Sequence, residues 1–136
     1  NSELAAEAII SVSNDDINSI ANVVSLAANS DSEKIGIMMS QGAKLDPSVM
    51  SDIISIIYDT AVDENSKQNI ANAFIIAAGL DADAVSSIIS DDSSEDNAEA
   101  LGYVLIKNTA EPKIWNDLVI NAVKVPMVSG YEKHYE

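Results

Sequence analysis

Helix-start signals recur along this chain at nearly even intervals, and that recurrence constrains the fold more than any other feature. The clearest is Asp46-Pro47. A carboxylate there is placed to cap a helix, and proline follows at the first helical position, where its missing N–H costs nothing. Behind it Val49, Met50, Ile53, Ile54, Ile57, Tyr58 and Ala61 follow at i, i+3/i+4, the spacing of one buried helical stripe. Asp81, preceded by Gly79-Leu80, opens the same pattern with Val85, Ile88 and Ile89. Glu111-Pro112 opens another with Ile114, Trp115, Leu118, Val119, Ala122 and Val123. An earlier one starts at Ser13/Asn14 and carries Ile17, Ile20, Ala21, Val24 and Ala28.

Partner helices fill the intervals. The segment 31–41 carries Ile35, Met38 and Met39 and is expected to stop at Gly42; 63–78 carries Ile70, Ala71, Phe74 and Ala77 and is expected to stop at Gly79. Glycine just past a helix end suits a left-handed cap. A further helix is expected over 93–108, with Ala98, Leu101, Val104 and Leu105, and a first one over 3–12. The starts Asn14, Asp46, Asp81 and Glu111 lie 32, 35 and 30 residues apart. A two-helix unit of that length is what stacked α-repeats use, because one hairpin cannot bury its apolar face alone. The expected fold is therefore all-α: about seven to eight short helices as stacked helical hairpins, an α-solenoid-like repeat with a period of roughly 30–35 residues. An irregular helical bundle is the alternative.

With 136 residues the chain has the length of one domain, expected over residues 1–124. Hydrophobic residues make up 47% and aromatics 4%, so the core must be aliphatic. Lys+Arg number 7, all of them Lys, against 22 Asp+Glu, for a net charge of −15. A field of that sign repels nucleic-acid backbones and anionic membranes, and attracts basic proteins or divalent cations. No cysteine is present, which excludes disulfides and thiol chemistry. No apolar run approaches the ~20 residues that span a bilayer, so no membrane insertion is expected. The first residues, Asn1-Ser2-Glu3, fit a mature product or a fragment. With the acidic, Arg-free surface, they favour an exported or particle-borne component, of a cell surface or virion, over a cytoplasmic one.

After Lys124 helical periodicity is lost. The segment 125–136 reads as an extended C-terminal arm, in which Pro126 disfavours helix at Val125 and Gly130 adds freedom. Val125, Pro126, Met127, Val128, Tyr131, His134 and Tyr135 form its apolar-aromatic content and are the candidate interaction residues. Trp115 joins them as a candidate anchor, since Trp is enriched at binding hot spots; its bland reading is packing of the last helix.

Reaction chemistry is hard to assemble from these residues. His134 is the only histidine, three-residue phosphate loops of the Gly-x-Gly type are absent, and no carboxylate pair is flanked by aromatics. No enzyme activity, cofactor or specific metal site is expected. The acidic run 91–99 lacks the glycine an EF-hand needs and reads as helix capping, with a loose association of divalent cations. The expected function is a non-enzymatic structural or protein–protein interaction module, binding a protein partner or itself in a larger assembly. The alternative is an acidic decoy or inhibitor that occupies a basic protein surface, and no nucleic acid is expected as a partner.

Overall fold

The computed structural model describes residues 1–91, 96–107, 116 and 118–120. They are helical almost throughout, with no strand among them. The elements are α1 (Ser2–Ser30), α2 (Ser32–Leu45), α3 (Pro47–Thr60), α4 (Glu64–Leu80), α5 (Ala82–Ser90) and α6 (Ala98–Ile106). A break at Asp16 divides α1 into two helices. The all-α expectation holds, with the chain folding back on itself in successive short helices.

A single aspartate makes most of the corners. Asp31 has φ −157° and ψ 85°, Asp46 −157° and 87°, and Asp81 −154° and 84°. Asp16 repeats the geometry at −156° and 80°. At Asp46 the backbone N–H still donates to Gly42 O of the outgoing helix at 2.8 Å. Its carbonyl accepts from Met50 N at 3.3 Å, and its carboxylate accepts from Val49 N at 3.1 Å. One residue thus ends one helix and starts the next, satisfying groups that both ends would otherwise expose. Asp31 and Asp81 make the same three bonds. Asn1 and Asp63 cap α1 and α4 in the same manner.

The caps carry the repeat. First helices of successive pairs begin after Asn1, Asp31 and Asp63; second helices begin after Asp16, Asp46 and Asp81. Burial follows the same register. Met39, Ala43, Met50, Ser51 and Ile53 are buried, and so are Phe74, Ala78, Val85, Ser86 and Ile88, each 35 residues on. Leu45 and Leu80, just before two of the corners, are both exposed. A one-residue corner splays consecutive helices, so the widest packing is not within a pair. It joins α2 to α4, the first helices of neighbouring pairs.

Several boundaries differ from the sequence expectation. Gly42 and Gly79 do not end helices: α2 runs on to Leu45 and α4 to Leu80, and no described glycine has a positive φ. The aspartate cap, four residues after Gly42 and two after Gly79, already satisfies the helix end, so a left-handed glycine has nothing to do. Gly42 instead faces Met50, where an added Cβ would meet Sδ at 2.6 Å. The first helix does not stop at Val12, and the next does not begin at Asn14. Ser13 is buried within the helix, its hydroxyl donating to Ile9 O at 2.6 Å, and Asp16 supplies the cap by accepting from Ser19 N at 3.1 Å. The helix expected over 93–108 is α6, from Ala98 to Ile106; 92–95, 108 and the expected helix start at Glu111-Pro112 lie outside the described residues.

Among the described residues the core is aliphatic around one fully buried aromatic, Phe74, with Ile53, Ile54, Ile57, Ile70 and Ile88 fully buried beside a run of alanines on α4. Buried hydroxyls stay satisfied by local back-bonding: Ser40 donates to Ile37 O and Ser86 to Asp83 O, both at 2.7 Å. Replacing Asp46 by Ala removes the acceptor for Val49 N, which is half-buried. That change is expected to cost about 1 kcal/mol, while Asp46→Asn, which can cap equally, costs less than about 0.5 kcal/mol. Chemical denaturation of the two variants compares them directly.

Candidate interaction surface

The residues that sequence reasoning singled out, Trp115, Val125, Pro126, Met127, Val128, Tyr131, His134 and Tyr135, lie outside the described residues. Of the acidic run, Asp91 ends α5 and residues 96–97 form a short turn entering α6. Among the described residues no group of carboxylates and histidine is placed to hold a metal ion. Many carboxylates already have work to do. Asp16, Asp31, Asp46, Asp63 and Asp81 each accept a backbone N–H at the start of a helix. No helix among the described residues is long and apolar enough to cross a membrane.

Two tyrosines that sequence reasoning did not pair form the most elaborate polar junction. The Tyr58 ring on α3 lies 5.3 Å from that of Tyr103 on α6, tilted by 55°, within the range where aromatic pairs attract. Their hydroxyls reach across elements: Tyr58 donates to Glu99 Oε1 on α6 at 3.2 Å, and Tyr103 donates to Glu64 Oε1 on α4 at 2.6 Å. Lys67 Nζ sits 4.6 Å from the Tyr58 centroid, and Lys107 Nζ 5.3 Å from that of Tyr103. Partial burial, helped by the bond to Glu64, pushes the Tyr103 phenol up to about 12. The bond to Glu99 raises Tyr58 in the same direction. Both rings are therefore neutral donors at ordinary pH, and the junction ties α6 to α3 and α4. Asn97, buried just before α6, adds to it by donating to Ser51 Oγ at 2.9 Å and Asp52 Oδ1 at 2.8 Å. The only sequence signal was that Tyr58 falls on the α3 stripe and Tyr103 beside Leu101 and Val104.

Other polar links are lighter. Asn29 on α1 donates to Ser66 Oγ at 3.1 Å and accepts from Asn69 Nδ2 at 3.0 Å, joining α1 to α4. Lys44 Nζ lies 3.4 Å from Asp81 Oδ2, which sets the α2–α3 corner beside the α4–α5 corner. An exposed pair of this kind contributes about 0–1 kcal/mol.

What remains open is apolar surface. Leu4, Val23, Leu26, Leu45, Leu80 and Ile106 are exposed, and Val62 in the loop before α4 is wholly so. Between the first half of α1 and α2 lies an open groove of about 300 Å³, walled chiefly by Ala5, Ile9, Ile35, Ile37 and Met38. Asn1, Ser2 and Lys34 complete the lining of the groove. Comparison of the chain with family models, with curated proteins and with solved structures found no match.

Proposed function

We propose that this chain is a non-enzymatic helical-repeat module that binds a protein partner, or itself, within a larger assembly. One observation carries the reading. Aspartate caps and tyrosine–glutamate bonds join the helices, while aliphatic side chains such as Leu4, Val23, Leu26, Leu45 and Leu80 stand exposed. Scattered exposed aliphatics are common, but several of them on a repeat stack suit extended docking. The apolar-aromatic arm over 125–136 is a second candidate contact, argued from sequence alone.

The test removes residues 126–136 and compares the two chains by light scattering and by affinity capture from the native source. A partner or a self-association present in the full chain and weakened in the shorter one supports the arm's part in the reading. A full chain that is strictly monomeric and captures nothing overturns the module itself.

A second reading, an acidic decoy for a basic protein surface, is favoured by carboxylates gathered where α4 and α6 begin: Asp63, Glu64 and Glu99, with Asp59 nearby on α3. It requires binding to a basic partner that weakens steeply as salt rises, because such attraction is screened.

A further inference from the structure

Residues 17–30, the second half of α1, contain no charged side chain. Every other described helix carries at least one carboxylate, in a chain of net charge −15. The inward stripe of this segment, Ala21, Val24 and Ala28, is buried against the stack. Its outward face presents Ser19, Asn22, Val23, Leu26 and Ser30, with Val23 55% and Leu26 61% exposed. A helix face meant only for water takes Glu or Lys, which favour both helix and solubility.

We propose that this face is where two copies of the chain associate, as an antiparallel helix pair about a two-fold axis. The inference rests on the interaction-module reading and names its partner as a second copy. Charge selects the surface: two bodies of −15 repel, and contact is least costly where no carboxylate must be desolvated or brought beside another. Spacing selects the geometry. Ser19, Val23, Leu26 and Ser30 follow at intervals of four, three and four, the seam of a helix pair. That seam is symmetric about the point between Val24 and Ser25. Antiparallel pairing therefore sets Val23 of one copy against Leu26 of the second, and Ser19 against Ser30. The outer serines are small enough to admit close approach of the two backbones. A two-fold contact is also the self-complementary kind that closes rather than polymerises. Asp16 and Asp31 stand at the two ends of the seam, so repulsion opposes the contact there and salt should strengthen it.

The experiment is sedimentation equilibrium on the full chain from about 10 μM to about 1 mM, at about 50 mM and about 500 mM salt. The dimer fraction is expected to rise with concentration and with salt. Val23→Glu and Leu26→Glu, both at exposed sites and checked for unchanged helical circular dichroism, are each expected to weaken association at least tenfold. Because the chain has no cysteine, Ser19→Cys and Ser30→Cys variants can be mixed under mild oxidation. Antiparallel pairing brings positions 19 and 30 together across the axis, whereas like positions stand about 16 Å apart along it. The mixed disulfide should therefore exceed either homodisulfide several-fold. A monomer at every concentration overturns the inference, as does association unmoved by both glutamate variants or dominated by homodisulfides. Capture of a different protein by a chain that stays monomeric also overturns it, while leaving the interaction-module reading intact. Dimerisation that weakens with salt overturns the uncharged-face assignment.

Discussion

Truncation of Phe74 to alanine is expected to lower the free energy of unfolding by about 3–5 kcal/mol. Phe74 is the sole phenylalanine and is fully buried on α4, the helix that packs on α2, α1, α5 and α6. On its own helix the buried neighbours are mostly alanines, Ala71, Ala73, Ala77 and Ala78, with Ile70 the one larger side chain, a turn before it. Short side chains cannot swing into a vacated ring site, so the cavity persists and its cost adds to the lost burial. Domains of this size are stable by about 5–15 kcal/mol, so the change removes a large share. Urea titration followed by circular dichroism reads it, and a loss under about 1 kcal/mol would show that Phe74 is not the centre of the core.

Gly36→Ala is expected to destabilise by about 1–3 kcal/mol, although alanine is the better helix former. An added Cβ at position 36 would meet Ala73 O, Ile76 Cβ and Ile76 Cγ2, each at 2.7 Å. Two of those atoms are backbone or directly attached to it, so α2 and α4 would have to move apart along their shared contact. The other glycines provide internal controls. At Gly42 the nearest atom is Met50 Sδ at 2.6 Å, the far part of a flexible side chain, and at Gly102 nothing lies within 4 Å. Gly102→Ala should stabilise by about 0.5–1 kcal/mol, the gain in helix propensity. Gly42→Ala should fall between the two. Thermal unfolding of the three variants side by side tests the order, and equal shifts at all three positions would contradict the close α2–α4 approach.

The difference among these glycines marks where local reasoning stops. In sequence, Gly42 and Gly79 look alike, each following an apolar helix, and both invite reading as caps. The residue that ends the helix is the aspartate beyond them, and no near-neighbour rule distinguishes a packing glycine from a terminating one. The same ambiguity holds at Asn14-Asp15-Asp16, where all three side chains can cap. Asp16 takes the role, with Ser13 turned into the core one turn earlier. Residues 17–30 carry no charge, but that their outward side is an open face depends on Ala21, Val24 and Ala28 being buried together.

By itself the sequence determined that the described chain is helical, where Asp46 and Asp81 begin helices, and which aliphatic residues line the stripes behind them. Those are consequences of capping and of the 3.6-residue period, which act over a few residues and need no knowledge of distant partners. Only the tertiary structure decided that α2 lies tightest on α4 through Gly36, and that Tyr58 and Tyr103 stack while trading hydroxyls for Glu99 and Glu64. These contacts join residues some forty positions apart. They depend on the angle at which each one-residue corner throws the next helix, an angle that the whole packed stack sets and no single segment encodes.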